Sequence, residues 1–197
     1  MSESPRRPRT ARRSRLESDL GFNLLELMLT IGIMGLVTAI AVVQIGTAQQ
    51  AIRSDGGMRV LVAQLNLARE MAIAQRRAMQ VQFLGNNALR IMRIDIPAGT
   101  TRVASAVLEG RVQYALVAGV PDTPDAFGRN GAIDFGGAPT IFFTSEGMLV
   151  DGAGNPINGT VFLSINGGAR SVRAITVLGA TGRVRGYRWN GNQWTRL

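Results

Sequence analysis

The hydrophobic positions of the chain fall into three regimes. Residues 1–20, MSESPRRPRTARRSRLESDL, are mostly polar and rich in arginine. From Leu27 to Ile52 no residue is charged, a run of 26 positions that is apolar on nearly every helix face. As a helix this run would extend roughly 39 Å at about 1.5 Å per residue, more than the ~30 Å hydrocarbon core of a bilayer. It also exceeds the ~7–15 apolar residues of an ordinary secretory signal, so it predicts a membrane span. Ser54-Asp55-Gly56-Gly57 then breaks the pattern and reads as a kink or a helix boundary. From Met58 a helical period returns: Leu61, Leu65, Ala68, Ala72 and Met79 recur at three, four or seven residues. Such a stripe can pack on a domain, while Arg59, Arg69, Glu70, Arg76 and Arg77 stay wet.

After Met79 the period shortens to that of strands. VQFL, ALRIMRI, TRVASAVL, RVQYALV, TIFFTS, TVFLSI, SVRAITVL and GRVRGYRW are short β-prone runs separated by Gly, Asn and Pro turns. They predict antiparallel sheets covering the helix. The longest loop expected is Ala118–Pro139, rich in Gly, Pro and Asp. Asn190-Gly191-Asn192 reads as a hairpin turn that would bring Trp194 back beside the last long strand.

Charge adds direction. The net charge is +9, and every basic residue is an arginine. Arg6, Arg7, Arg9, Arg12, Arg13 and Arg15 outnumber Glu3, Glu17 and Asp19 ahead of the span. The positive-inside rule therefore expects a cytoplasmic amino terminus and a carboxy-terminal domain across the membrane. There is no cysteine and no histidine. That excludes disulfides, thiolate nucleophiles, imidazole bases and His- or Cys-ligated metals. Asp134 and the pair Ser145-Glu146 belong to no catalytic motif, so no enzyme and no cofactor are expected. Asp151 to Asn155 offers oxygen ligands, but alanine holds its third position and no glutamate closes it. Asp122 and Asp125 read as turn-capping residues, and no metal site is expected.

Two features ask for an explanation. The first is Glu26, a carboxylate at the start of the apolar run. At mid-bilayer such a charge costs about 2.5–3.5 kcal/mol even on a lenient scale, and less near a helix end. A cation for it would arise if the chain were cut after Gly21. Phe22 would then carry a free amine with a pKa near ~7.7–8. The second is the carboxy-terminal stretch. Beyond Asp151 there is no acid, while Arg170, Arg173, Arg183, Arg185, Arg188 and Arg196 are all basic. Strand alternation puts Arg183, Arg185, Tyr187 and Trp189 on one face, with Arg188 on the same strand. Arginine interleaved with aromatics can hold phosphates and stack on bases, or simply guard a sheet edge.

Gly21-Phe22-Asn23-Leu24-Leu25-Glu26, behind a short basic leader and ahead of an unbroken apolar helix, resembles the leader junction of type IV prepilins and type II secretion pseudopilins. Asn23 departs from the commoner threonine or serine. The resemblance implies that a prepilin peptidase cuts between Gly21 and Phe22 and methylates the amine of Phe22. It also implies that Glu26 neutralises the amino terminus of a neighbouring subunit. Further along, LARE at Leu67–Glu70, FFTSEGMLVDG at Phe142–Gly152 and ITVLGATGRVR at Ile175–Arg185 resemble, in order, segments of the GspH/FimT group of minor pseudopilins. The implied fold is α+β, a long kinked amino-terminal helix, half transmembrane and half amphipathic, packed on a β-sandwich-like domain of antiparallel sheets. The implied organisation is a cleaved leader (1–21), a transmembrane and assembly helix (22–52), an amphipathic helix (53–79) and a β-rich periplasmic domain (80–197). The implied role is a structural subunit near the tip of a type II secretion pseudopilus or type IV pilus. Its partners would be the prepilin peptidase, other minor and major pilins or pseudopilins, and inner-membrane lipid. In the FimT branch the G-R-x-R motif is associated with DNA uptake. DNA binding through Arg183, Arg185, Tyr187, Arg188 and Trp189 is therefore the alternative reading.

Overall fold

A computed structural model describes residues 23–138 and 140–197. The chain divides into two units, Met1–Val43 and Gln44–Leu197. Helix α1 covers Leu24–Gln75.

In the first unit, Leu24–Ala41 is an 18-residue stretch apolar and long enough to cross a membrane. Its large side chains, Leu24 to Ile40, are exposed. The two hydroxyls near its ends stay within the helix. Thr30 Oγ1 donates to the Leu27 carbonyl at 2.9 Å and Thr38 Oγ1 to the Met34 carbonyl at 2.7 Å. Back-bonding of this kind lets threonine sit in an apolar helix without an unmet donor. Glu26 lies in the first turn of α1, and among the described residues no cation pairs with it. Gly21 and Phe22 lie outside the described residues.

In the second unit, α1 runs through Ser54-Asp55-Gly56-Gly57 without ending, so of the two readings, kink or boundary, the segment is not a boundary. The reason at Gly57 is packing. A Cβ there would stand 2.8 Å from Val112 Cγ1, so the glycine admits strand β4 against the helix. The expected stripe is buried: Leu61, Leu65, Ala68 and Ala72 are fully covered, and Met58 nearly so. The helix ends at Gln75. Arg76 follows at φ +50°, a left-handed cap more often given to glycine.

Eleven strands follow: β1 (Met79–Leu84), β2 (Ala88–Ile94), β3 (Thr100–Val107), β4 (Val112–Tyr114), β5 (Ile133–Asp134), β6 (Ile141–Phe143), β7 (Leu149–Val150), β8 (Gly159–Ile165), β9 (Arg173–Leu178), β10 (Arg183–Trp189) and β11 (Trp194–Arg196). One sheet has the order β3-β2-β1-β6-β7, the other β11-β10-β9-β8-β4 with β5 beside β8. All these pairings are antiparallel. Each of the eight β-prone runs contains a strand, whereas the two-residue strands β5 and β7 carry too little pattern to be read. One core joins the helix stripe to both sheets through Val81, Ile91, Phe143, Val161 and Ile175. On β8 every residue is buried. Alternation explains why: Val161, Leu163 and Ile165 enter the main core, while Phe162 packs with Ala174 and Tyr187 in a separate cluster. The second sheet is thus covered on both faces.

Candidate functional site

The carboxy-terminal strand pair holds the arginines and aromatics that the sequence singles out. Strands β9 and β10 pair from Arg183↔Leu178 to Arg188↔Arg173, and β10 and β11 from Tyr187↔Arg196 to Trp189↔Trp194. Asn190 builds the expected hairpin turn: its Oδ1 accepts the Asn192 and Gln193 amides, each at 2.9 Å.

The outward face of β10 is occupied along most of its length. Arg183 is exposed at the strand start. Arg185 forms an ion pair with Asp125, a residue of the long loop. Asp125 Oδ2 also accepts the hydroxyls of Thr176 at 2.6 Å and Tyr187 at 2.9 Å. Burial alone would raise the Asp125 pKa. The hydrogen bonds from Thr176 and Tyr187 and the charge of Arg185 outweigh it and hold the carboxyl below its ordinary value. Burial, reinforced by Asp125, pushes the Tyr187 phenol up. Trp189 is 6% exposed and packs with Val120 and Val172. Trp194 stands beside it, ring centroids 5.3 Å apart, and donates its Nε1–H to the Pro121 carbonyl at 3.1 Å. The loop, tied down by Asp125 and Pro121, therefore lies over the arginine–aromatic face. Nothing in the alternation of β10 could reveal this, because the cover comes from sixty residues upstream.

On the other face of β10, Gly186 lets Met58 approach: a Cβ there would stand 3.1 Å from the sulfur. Arg188 is exposed and reaches Asp55 at 3.9 Å. Asp55 belongs mainly to Arg173, whose side chain is wholly buried. Arg173 Nε donates to Asp55 Oδ1 at 2.5 Å, Nη1 to the Val172 and Arg170 carbonyls, and Nη2 to the Ala51 carbonyl. A buried guanidinium is tolerable when paired and hydrogen-bonded in this way. Sequence reasoning counts Arg173 only among the carboxy-terminal positives and misses this clamp. Asp55, inside a segment taken for a helix break, was its only acidic signal.

The three ordered motifs meet at one point. Arg69 of LARE shares its Nε–H between the Gly147 carbonyl at 3.2 Å and the Thr181 carbonyl at 3.1 Å. Gly147 turns the β6–β7 hairpin at φ +81°, and Gly182 turns β9–β10 at φ +61°. A Cβ on Gly182 would overlap the Gly147 carbonyl oxygen and stand 2.9 Å from Arg69 Cδ. The two hairpins are also stitched by the Leu149 amide, which donates to the Gly179 carbonyl at 2.8 Å. Arg69, expected on the wet side, instead fastens the helix to both sheets. The glycine of G-R-x-R is a packing residue; Arg183 and Arg185 lie outside this junction, Arg183 exposed and Arg185 paired with Asp125.

The acidic loop residues close their own turns. Asp151 Oδ1 accepts the Ala153 and Asn155 amides, each at 2.9 Å. Asp122 holds the Thr123 and Gly128 amides, and Asp134 those of Asn130 and Gly136.

The family model for the type II transport protein GspH matches residues 58–181, a segment that contains Arg69 and its two acceptors, Gly147 and Thr181. The chain belongs to that family. It is a minor pseudopilin or pilin of the type II secretion or type IV pilus class, a structural subunit rather than an enzyme. Membership implies assembly with other pilins or pseudopilins. No curated protein matches the chain. Among solved structures, the type IV minor pilin FimU of Pseudomonas aeruginosa is 20% identical, with a TM-score of 0.47, covering 66% of this chain and 84% of its own. The minor pseudopilin EpsH of the Vibrio cholerae type II secretion system is 18% identical, with a TM-score of 0.46, covering 73% of this chain and 98% of its own.

Proposed function

We propose that this GspH-family chain is made as a precursor, waits in the bacterial inner membrane, and enters a filament near its tip. The leader 1–21 faces the cytoplasm and the β-rich domain the periplasm. A prepilin peptidase cuts between Gly21 and Phe22 and methylates the Phe22 amine. Glu26 then receives that amine from a neighbouring subunit, while the apolar helix packs among other pilin helices. The observation that carries this reading is Glu26 itself. It stands in an apolar helical stretch, and among the described residues no cation pairs with it. A carboxylate left so in lipid is costly, and an incoming amine removes the cost. Mass spectrometry of the membrane-bound protein is expected to find N-methylated Phe22 as the first residue. Finding Met1 retained in cells with an active prepilin peptidase refutes the reading.

DNA binding is the second reading, and the exposure of Arg183, Arg188 and Arg196 supports it. Exposed guanidiniums on this strand pair can contact phosphates, Arg183 and Arg196 on the face of Tyr187 and Arg188 on the opposite face beside Asp55. Arg185 and Tyr187 join them only when Asp125 lets go, and Trp189 only when the loop lifts. A gel shift with the purified protein, repeated at rising salt, tests this. Binding that weakens with salt and is lost in Arg183→Ala with Arg188→Ala supports it. No binding by the parent protein removes it.

A further inference from the structure

At the edge of a sheet the backbone donors and acceptors lack a neighbour, and folds blunt such edges because any extended chain can pair with them. Of the four outer strands in the two sheets, three are blunted. Strands β4 and β11 have three residues each, and β11 carries Arg196. Strand β7 has two residues, and the chain behind it covers them. There the Ile157 amide donates to the Leu149 carbonyl at 3.0 Å and Val150 bridges Pro156. Strand β3 is left open. It has eight residues, Thr-Thr-Arg-Val-Ala-Ser-Ala-Val, with one charge and no proline.

Register decides which groups of β3 are free. Opposed residues in an antiparallel pair alternate between those that exchange both hydrogen bonds and those that exchange none. The Leu108 amide donates to the Asn87 carbonyl at 2.7 Å, one step beyond the opposed residues Val107 and Ala88. Ala106 and Ala104 therefore bond to Leu89 and Ile91 of β2, whereas Ser105 and Val107 turn their N–H and C=O groups away from it. Among the described residues no backbone group pairs with them. The two faces of this edge differ. Ala104 and Ala106 are half-buried against the core, small side chains where the core runs out. On the other face Arg102 lies opposite Met92, and Ser105 opposite Arg90. Neither guanidinium has an acidic partner among the described residues.

We propose that the β3 edge takes up an extended segment of a protein partner, in which acidic and apolar side chains alternate, as an added strand of this sheet. Its backbone answers the free groups of Ser105 and Val107. Its apolar side chains, opposite Ala104 and Ala106, extend the core, and its acidic ones, opposite Ser105, meet Arg90 and Arg102. Only an extended backbone presents donors and acceptors at this alternate spacing, so a helix does not fit. A second copy of β3 brings another Arg102 and no acid, so charge disfavours self-pairing. The inference concerns the second unit alone and is independent of cleavage at Gly21 and of Glu26.

The test uses the full chain in detergent micelles and a blocked synthetic peptide, as long as β3, of alternating glutamate and valine. Exchange of single amides is read by mass spectrometry with electron-transfer fragmentation. At a peptide concentration about ten times Kd, the Ser105 and Val107 amides should exchange about tenfold more slowly. Ala104 and Ala106, already bonded to β2, should change little. In this register the glutamate amides face β3 and the valine amides face away. Methylating the glutamate nitrogens should therefore abolish binding, and methylating the valine nitrogens should not. Ser105→Pro removes one outward donor at a place where an edge strand accepts proline, and should weaken binding about fivefold. Arg102→Gln should weaken it up to about fivefold, with the larger loss at low salt. If Ser105→Pro fails to fold by circular dichroism, the methylated peptides on the parent decide. Unchanged exchange at Ser105 and Val107, equal binding of the two methylated peptides, or equal binding of a lysine–valine peptide overturns the proposal. Slowing of the same two amides as the protein alone is concentrated assigns the edge to a second copy and overturns it as well.

Discussion

Gly182→Ala separates a structural from a ligand-binding origin for the G-R-x-R motif. Two costs act at this position. The first is conformational: Gly182 sits at φ +61°, where an L side chain costs about 1–2 kcal/mol. The second is steric: the new methyl would overlap the Gly147 carbonyl oxygen and crowd Arg69 Cδ at 2.9 Å. Forcing a methyl into a packed site costs typically 1–3 kcal/mol, and backbone cannot swing aside as a flexible side chain can. The sum is about 2–5 kcal/mol. Gly85→Ala is the matched control. It has φ +56° with nothing within 4 Å of its missing Cβ, so only the first cost applies. Urea unfolding of a fragment covering residues 44–197, followed by circular dichroism, should show Gly182→Ala losing at least about 1 kcal/mol more than Gly85→Ala. Equal losses would refute the packing argument and return the glycine to a role in ligand contact.

Three further outcomes follow from the clamps around the sheets. Arg69→Ala should destabilise the same fragment by about 1–2 kcal/mol, since it strips a charged donor from two hairpin carbonyls, and amide exchange should rise at both turns. Asp55→Ala should cost about 3 kcal/mol by leaving the buried Arg173 unpaired, with Arg173→Met on the Asp55→Ala background recovering part of it. Asp125→Asn should cost roughly 1.5–3 kcal/mol at neutral pH. It should also flatten the acid limb of the stability profile. Asp125 has a folded pKa below its ordinary 3.8. Its contribution is therefore complete above that value and is lost as pH falls through the folded one. The parent should thus lose more than the variant below about pH 4, and equal acid slopes in urea melts would contradict the assignment.

What the sequence shows and what it hides divide along one physical line. Features set by local period are legible: the apolar half of α1, the helix stripe Leu61, Leu65, Ala68 and Ala72, and eight strands are long enough runs to be read from their spacing. Features set by close approach across the fold are not. Gly57 looks like a helix breaker because its neighbourhood is polar and glycine-rich, yet its partner Val112 lies 55 positions away. Arg69 looks like a wet residue because it interrupts the apolar stripe, yet its acceptors are 78 and 112 positions away. Arg185 looks like an available cation because its own strand contains no acid, yet Asp125 neutralises it from the loop. A motif inherited as one string thus splits by function in the fold. Gly182 locks two hairpins, Arg185 anchors a loop, and of the motif's two arginines Arg183 is the exposed one. Any partner that reads this strand meets Arg183 first, and meets Arg185 only by outcompeting Asp125. A phosphate can do that, because it offers the same guanidinium an oxygen acceptor of equal charge.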